Sequence, residues 1–263
     1  MTSLESTVRS DNCDLDEFEE RTLEDPEDMR KSFRLRYQVY CEERRFLPAA
    51  DYPEGLETDA YDERSLHFGS FNREGDMVGT VRLVRGSRIH DLPMQKRCTN
   101  YPEQEARLDA MSNLVEVSRL AISRRYRRRT TDGQFGLDSG SDTEKRDPLD
   151  RRKTAFPTVL RLYRAIYHSL KEREIEHVVA SMEFSLYRIL KALRFPFHEI
   201  GPETDYYGPV RPFYLNIPEL DRQLMWQRPQ LLRYFNSGLH PKYQDLPIGA
   251  RPVVDRVTRP HEY

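Results

Sequence analysis

The sequence predicts an α+β fold, a mixed central sheet flanked by helices in one main domain. Three observations carry this. Leu66–Phe71 and Met77–Val84 are β-rich runs separated by Asn72-Arg73-Glu74-Gly75-Asp76, the pattern of an antiparallel hairpin. Leu114–Ile122 is a third run, dense in Val, Leu and Ile, and it leads through a basic turn toward the best helical stripe of the chain. Ile175–Met182 follows that stripe as a short apolar strand, and strand–helix–strand order implies a crossover unit. A hairpin beside a crossover makes the sheet mixed.

The remaining elements follow in chain order. Residues 1–28 are rich in acids (Asp14, Asp16, Glu17, Glu19, Glu20, Asp25, Asp28) and are expected to form a solvated lead-in. Phe33, Tyr37, Tyr40 and Cys41 lie at i, i+4, i+7 and i+8 and predict the buried face of a first helix. Residues 47–65, rich in Pro, Asp, Glu and Gly, form a loop long enough to expect a functional role. Residues 86–112 read as irregular. Thr130–Asp150 is polar and Gly- and Ser-rich, an expected flexible insertion. The helical stripe is Phe156, Val159, Leu160, Tyr163, Ile166, Tyr167 and Leu170. A second helix spans Phe184–Leu193. Tyr206–Ile217 reads as a strand, with Pro209 and Pro212 arguing for an edge or a bulge. Short helices broken at Pro229 and an extended, proline-rich tail complete the chain. The expected organisation is a lead-in (1–28), a main domain (29–217) with the insertion at 130–150, and a C-terminal extension (218–263).

Composition narrows the function. The 263 residues are 37% hydrophobic and 33% charged, with a net charge of −2, so no global field favours nucleic acid or an anionic membrane. Cys13, Cys41 and Cys98 are odd in number and widely spaced, which fits free thiols in a reducing compartment. The seven histidines show no metal-ligand spacing, and no metal is expected. No apolar run approaches a membrane span, and the acidic N-terminus does not resemble a secretory signal, so a cytoplasmic protein is expected. GxGxxG and GxxxxGK[ST] are both absent, which argues against dinucleotide and P-loop chemistry.

The chemistry is expected where charges interrupt apolar elements. Arg82 lies within Val81–Val84, and Glu116 and Arg119 lie within Leu114–Ile122. Such charges are paired or face a polar cleft, because burying them alone is costly. Asp59 and Asp62 lie in the long loop just upstream, and Arg36 lies on the first helix. Three arginines and three acids can neutralise one another. Two readings stand at this point: an ion-pair network that only pins the loop to the sheet, or a cleft that binds an amine and supplies a base. Strict alternation puts Glu116 and Arg119 on opposite faces, and a bulge near Ser118 would bring them together.

The same residues resemble the motifs of the acyl-homoserine-lactone (autoinducer) synthases. Those enzymes carry an Arg in the first helix followed by an aromatic, then E-x-D-x-[FY]-D, G-x-x-R-L and E-x-S-R. This chain has Arg36 with Tyr40, Glu57-Thr58-Asp59-Ala60-Tyr61-Asp62, Gly79-Thr80-Val81-Arg82-Leu83, and Glu116-Val117-Ser118-Arg119 in the same order. Phe46 stands where those enzymes often have Trp. Each motif alone is weak, and four in order are specific. The strings RYQVYCEERRFLPAADYPEGLETDAYD, VEVSRLAISRRYRRR and YYGPVRPFYL resemble one branch in particular, the acyltransferases associated with PEP-CTERM/exosortase systems. N-acyl amino acid synthases are similar relatives.

The resemblance implies a GNAT-like acyl-CoA N-acyltransferase fold and an N-acyltransferase that moves a fatty acyl group from a carrier thioester to an amine such as an amino acid. It implies Glu116 as base, with Arg36, Arg82, Arg119, Asp59 and Asp62 shaping the cleft. It implies a donor site along Leu120, Ala121 and Ile122 and the turn Arg124, Arg125, Arg127, Arg128 and Arg129. The Gly-rich R-x-x-G-x-G of acetyl-CoA-binding members is absent from that turn, which favours an acyl carrier protein over CoA as the donor's carrier. No tightly bound cofactor is implied. Tyr40, Phe46, Phe184 and Tyr187 are the expected substrate-binding side chains. Tyr187 lies one turn before the place of the usual catalytic Tyr, so it is read as core or acyl pocket. Two alternatives accompany this reading: a lactone synthase using S-adenosylmethionine, and a non-catalytic binding module of the same fold. Nucleic acid and a membrane span are not expected.

Overall fold

The computed structural model describes residues 18–99, 107–126, 155–206 and 208–244, with the side chains of 155–157 left aside. The expected insertion at 130–150, Arg127–Arg129, the side chain of Phe156 and the tail beyond residue 244 lie outside the described residues.

Among the described residues eight strands build the sheet: β1 (Phe18–Thr22), β2 (Ser65–Asn72), β3 (Met77–Arg85), β4 (Leu114–Ile122), β5 (His177–Met182), β6 (His198–Glu199), β7 (Thr204–Asp205) and β8 (Pro209–Asn216). Their order is β1-β2-β3-β4-β5-β8-β6, with β7 also on β8. The pair β4–β5 is parallel and the other pairs are antiparallel, so the sheet is mixed, as the sequence predicts. The helices are α1 (Pro26–Tyr37), α2 (Ala155–Glu172), α3 (Phe184–Ala192), α4 (Ile217–Gln227) and α5 (Pro229–Asn236).

Local chemistry explains these elements. The Asp25 side chain accepts the Glu27 N–H at 2.6 Å, and Pro26 with Glu27 and Asp28 completes a well-formed start for α1. The hairpin turn closes through the Asn72 side chain, which accepts the Asp76 N–H at 2.8 Å, and Gly75 supplies the left-handed residue. α2 crosses β3 at Gly79, where an added Cβ would meet Ile122 at 2.8 Å and Thr158 at 2.9 Å. That close approach is the physical reason for a glycine in the stretch Gly79–Leu83.

Four expectations need correction. First, part of the acidic lead-in is structured. Phe18–Thr22 pairs with β2 and α1 begins at Pro26, because Phe18 and Leu23 are buried and Glu20 meets Arg161 and Arg164 of α2. Second, the buried face of α1 is Ser32, Leu35 and Arg36, one position off the predicted Phe33 and Tyr37, whereas Tyr40 and Cys41 beyond it are buried as predicted. A π-helical turn over Gln38–Glu43 follows α1 and resets the register at Tyr40. Third, β8 is no edge strand, since it lies between β5 and β6, and Tyr206 precedes it. Pro212 is tolerated because its carbonyl accepts the Ile200 N–H at 3.0 Å on the side where β6 has only two residues. Fourth, the described part of the expected extension is not set apart. Leu220, Leu224, Leu232 and Phe235 of α4 and α5 join the main core with Tyr167 and Phe195.

The core has two faces. α2, α3, α4 and α5 cover one with the largest apolar cluster. α1, its π-helical extension and the segment 89–98 cover the other. The charged residues singled out above lie on this second side.

Candidate active site

β3 and β4 position the site. Their register runs Thr80↔Ala121 and then Arg82↔Ser118, so Arg119 and Leu120 both oppose Val81. This is a β-bulge at the place the sequence suggested, and Arg119 adopts a left-handed φ of 54° to make it. A non-glycine residue held there costs about 1–2 kcal/mol unless its surroundings fix it. Here they do. The Arg119 guanidinium donates to Glu57 at 3.1 Å and to Asp59 at 3.1 Å.

Those contacts belong to a closed cluster. Arg36 donates from Nε to Glu57 at 2.5 Å and from Nη1 to Asp62 at 2.7 Å. Arg82 donates from Nη1 to Asp59 at 2.6 Å and to Asp62 at 2.7 Å, and from Nε to the Ser118 hydroxyl at 3.2 Å. Three cations therefore meet three anions. Glu57 is fully buried (0% exposed) and bridges Arg36 and Arg119. Burial alone would raise the carboxylate pKa values, but the arginines outweigh it and hold Glu57, Asp59 and Asp62 below the usual range. The loop carrying the acids is tied to α1 by the Glu57 N–H, which donates to the Phe33 carbonyl at 3.1 Å.

Glu116 stands apart from this cluster. It is 1% exposed, and among the described residues it forms no ion pair with an arginine. Its carboxylate accepts the Met94 N–H at 2.8 Å. Burial pushes its pKa up to about 7, against the weaker pull of Met94, Arg82 and Arg119. A carboxyl poised near neutrality in a buried site can take and return a proton. Arg82 Nη2 is buried without a hydrogen-bond partner, so one donor of the cluster is uncommitted.

The sheet opens beside these groups. β4 and β5 pair only over Leu114–Glu116 and His177–Val179, and the strands part beyond them. A cavity of about 130 Å³ lies in the gap. Ser118, Arg119 and Tyr40 line it at the charged face, and Leu186, Leu190 and Phe235 are among the apolar side chains that line it on the α2–α5 side. The Tyr40 hydroxyl donates to the Leu120 carbonyl at 3.0 Å, which ties the π-helical turn to the bulge.

The predicted residues fall into five groups. Arg36, Asp59, Asp62, Arg82 and Arg119 converge in one network, with Glu116 on the same face of the sheet. Tyr40 lines the cavity, and Phe46 packs on Tyr40 (ring centroids 6.5 Å apart). Leu120 lines the gap, while Ala121 and Ile122 are buried in the ladder with β3. Arg124 and Arg125 form an exposed 3-10 turn after β4. Phe184 and Tyr187 are not brought to the cavity. Phe184 is 45% exposed, and Tyr187 stacks on Phe213 at 4.5 Å, because α3 turns Leu186 and Leu190 inward instead. Sequence reasoning missed Glu57 as a site residue, although it lies within the acidic loop motif. It also missed Met94, whose contribution is a backbone N–H that no side-chain pattern announces.

The sheet order, the bulge and the parting of β4 from β5 define the class: this is the GNAT fold, that of acyl-transferring enzymes. Residues 35–134 match the family model "Acetyltransferase (GNAT) domain", so a GNAT acyltransferase domain lies within this chain. Among solved structures it is similar to FeeM, an N-acyl amino acid synthase from uncultured soil microbes, at 18% identity over 78% of this chain and 93% of that chain, with a TM-score of 0.52. It is similar to BjaI, a CoA-dependent acyl-homoserine lactone synthase solved with SAM and isopentyl-CoA, at 21% identity over 81% of this chain and 82% of that chain, with a TM-score of 0.53. It is also similar to MesI, a CoA-dependent acyl-homoserine lactone synthase, at 20% identity over 83% of this chain and 95% of that chain, with a TM-score of 0.51. No curated protein matches the sequence. No described helix is long and apolar enough to cross a membrane.

Proposed function

We propose that this acyltransferase moves a fatty acyl group from an acyl carrier protein or CoA thioester to the amine of an amino acid. The observation that carries the proposal is Glu116: a buried carboxyl with a pKa near 7 on the charged face of a sheet whose strands part over an apolar cavity. The acceptor amine attacks the thioester carbonyl carbon. The C–N bond forms and the C–S bond breaks. Glu116 takes the amine proton, directly or through a water, and the proton passes on to the departing thiolate. A free thiol has a pKa of about 8.5, so this leaving group needs little help. Backbone N–H groups at the bulge serve the oxyanion. The acyl chain occupies the cavity between α2, α3 and α5.

The closed cluster changes the role assigned to its arginines. Arg36, Arg82 and Arg119 are already neutralised, so they hold the acidic loop and the bulge in place, and only Arg82 Nη2 is offered to a substrate. The exposed Arg124 and Arg125 are suited to an acidic carrier protein or to the phosphates of CoA. The association with exosortase-type systems rests on the string resemblance. A cytoplasmic location, without a tightly bound cofactor, belongs to the same reading.

The test is product analysis. The purified protein is supplied with acyl-carrier or acyl-CoA donors and a panel of amino acids, and products are read by mass spectrometry. An open N-acyl amino acid supports the proposal. A lactone formed from S-adenosylmethionine replaces it with the autoinducer reading. Unchanged product formation by Glu116→Gln removes Glu116 as base. No transfer from any thioester by the folded wild-type chain leaves the binding-module reading.

A further inference from the structure

We propose that the outer faces of α3 and α4 form a surface that binds anionic lipid bilayers. Among the described residues, the exposed large apolar side chains are Phe184 and Trp226. Trp226 is 84% exposed near the C-terminus of α4. Its neighbourhood is cationic. Arg228 donates to the Ala192 carbonyl at 3.3 Å, which places the end of α4 against the end of α3. On α3, Phe184, Arg188 and Lys191 lie at i, i+4 and i+7, one exposed stripe opposite Leu186 and Leu190. Arg194 follows the same helix, and Arg222 lies one turn before Trp226 on α4.

None of Arg188, Lys191, Arg194, Arg222 and Arg228 has a carboxylate partner among the described residues. Arg36, Arg82, Arg119 and Arg161, by contrast, meet carboxylates, and the chain as a whole carries a net charge of −2. Glu183, directly before α3, accepts the Ser185 hydroxyl at 3.3 Å. Glu199 and Glu203 pair with Arg211, whose guanidinium lies over the Phe184 ring. Glu219 pairs with His198. An indole standing free among unpaired cations suits the headgroup region, where Trp sits at the apolar boundary and Lys and Arg meet lipid phosphates. α3 then has a bilayer on one face and the cavity on the other, because Leu186 and Leu190 line that cavity.

Trp226 is the only tryptophan of the chain, so its fluorescence reports on this surface alone. The full-length protein is mixed with phosphatidylglycerol/phosphatidylcholine vesicles and, separately, with pure phosphatidylcholine vesicles. The expected result is a blue shift with the anionic vesicles, little shift with the neutral ones, and reversal by high salt. Co-sedimentation of Lys191→Glu/Arg194→Glu falls about tenfold or more, and Trp226→Ala is weakened likewise. Arg222→Glu gives a second, independent reading, with circular dichroism confirming the fold of each variant. An unchanged emission with anionic vesicles overturns the proposal. So does wild-type binding by the charge variants, or a shift with soluble polyglutamate and none with vesicles. Binding is read without turnover, so its failure leaves the acyltransferase reading untouched.

Discussion

The charge cluster and Glu116 share one face of the sheet, yet they solve the problem of buried charge in opposite ways. Arg36, Arg82 and Arg119 each meet two carboxylates, so the cluster stays ionised although it is buried. Glu116 has a backbone N–H and no arginine, and its charged form is penalised. The difference teaches how a site can be both rigid and reactive. The arginines are committed to the loop acids, and this is what leaves Glu116 free to carry a mobile proton.

The two regions pull stability in opposite directions with pH. The carboxylates of the cluster have depressed pKa values in the fold. Their contribution is present above the unfolded value of about 4 and is lost as pH falls through the folded values. Glu116 has a folded pKa of about 7 against an ordinary value of 4.5. Its contribution is full below about 4.5 and is lost as pH rises through about 7.

The largest effect is expected from breaking the closed side. Glu57→Ala leaves Arg36 and Arg119 facing each other without their shared anion, and loss of one partner of a buried pair costs about 3–5 kcal/mol. Urea unfolding should show this, with activity lost in parallel. Stability close to wild type would mean that the cluster is not the closed unit described.

Glu116→Gln should separate the two regions. Activity should fall about 10²–10⁴-fold, while stability above pH 7 rises by something of order 3 kcal/mol, since the amide carries no charge to bury. The wild-type rate should climb with pH on a single limb centred near 7, and the variant should lose that limb. A profile whose midpoint is the same in the variant would assign the proton to another group.

A smaller effect tests the cavity. Leu190→Phe narrows the space on the α3 side. It should shift preference toward shorter acyl donors by about tenfold in kcat/KM, the scale of one or two methylenes in an apolar pocket. An unaltered chain-length profile would place the acyl group elsewhere.

The polar site was more legible in the sequence than the apolar one. Arg82, Glu116 and Arg119 announce themselves because charges within Val- and Leu-rich strands need compensation, and the bulge follows from the need to gather them on one face. Glu57 escaped because a loop acid between Leu56 and Thr58 has no apolar pattern to betray its burial. Tyr40 and Cys41 of the first stripe are buried as read, but its Phe33 and Tyr37 were misread by one position, since Ser32 and Arg36 occupy the buried face of α1 and a periodicity search discounts them. Phe184 was taken for a pocket residue on its chemistry, whereas the orientation of α3 turns Leu186 and Leu190 inward. The cavity also takes Leu220 and Phe235 from beyond residue 217, and the break at Pro229 made that region read as an extension.

The smallest expected effect concerns the joint between the two regions. The Tyr40 hydroxyl is buried, its pKa is pushed up to about 12 by that burial, and it donates to the Leu120 carbonyl beside Arg119. Tyr40→Phe keeps the ring on Phe46 and removes only this donor. A buried hydrogen bond of this kind is worth about 1 kcal/mol. The cluster should survive, because none of its six charged members depends on the hydroxyl for its ion pairs. The bulge, however, loses this hydrogen bond to the π-helical turn. The expected signature is a small drop in stability with a larger rise in KM for the donor than fall in kcat, because Leu120 lines the gap while Glu116 lies beyond it along β4. A fall in kcat alone, with donor KM unchanged, would mean that Tyr40 serves the proton path instead, and the division between a structural cluster and a lone base would have to be redrawn around it.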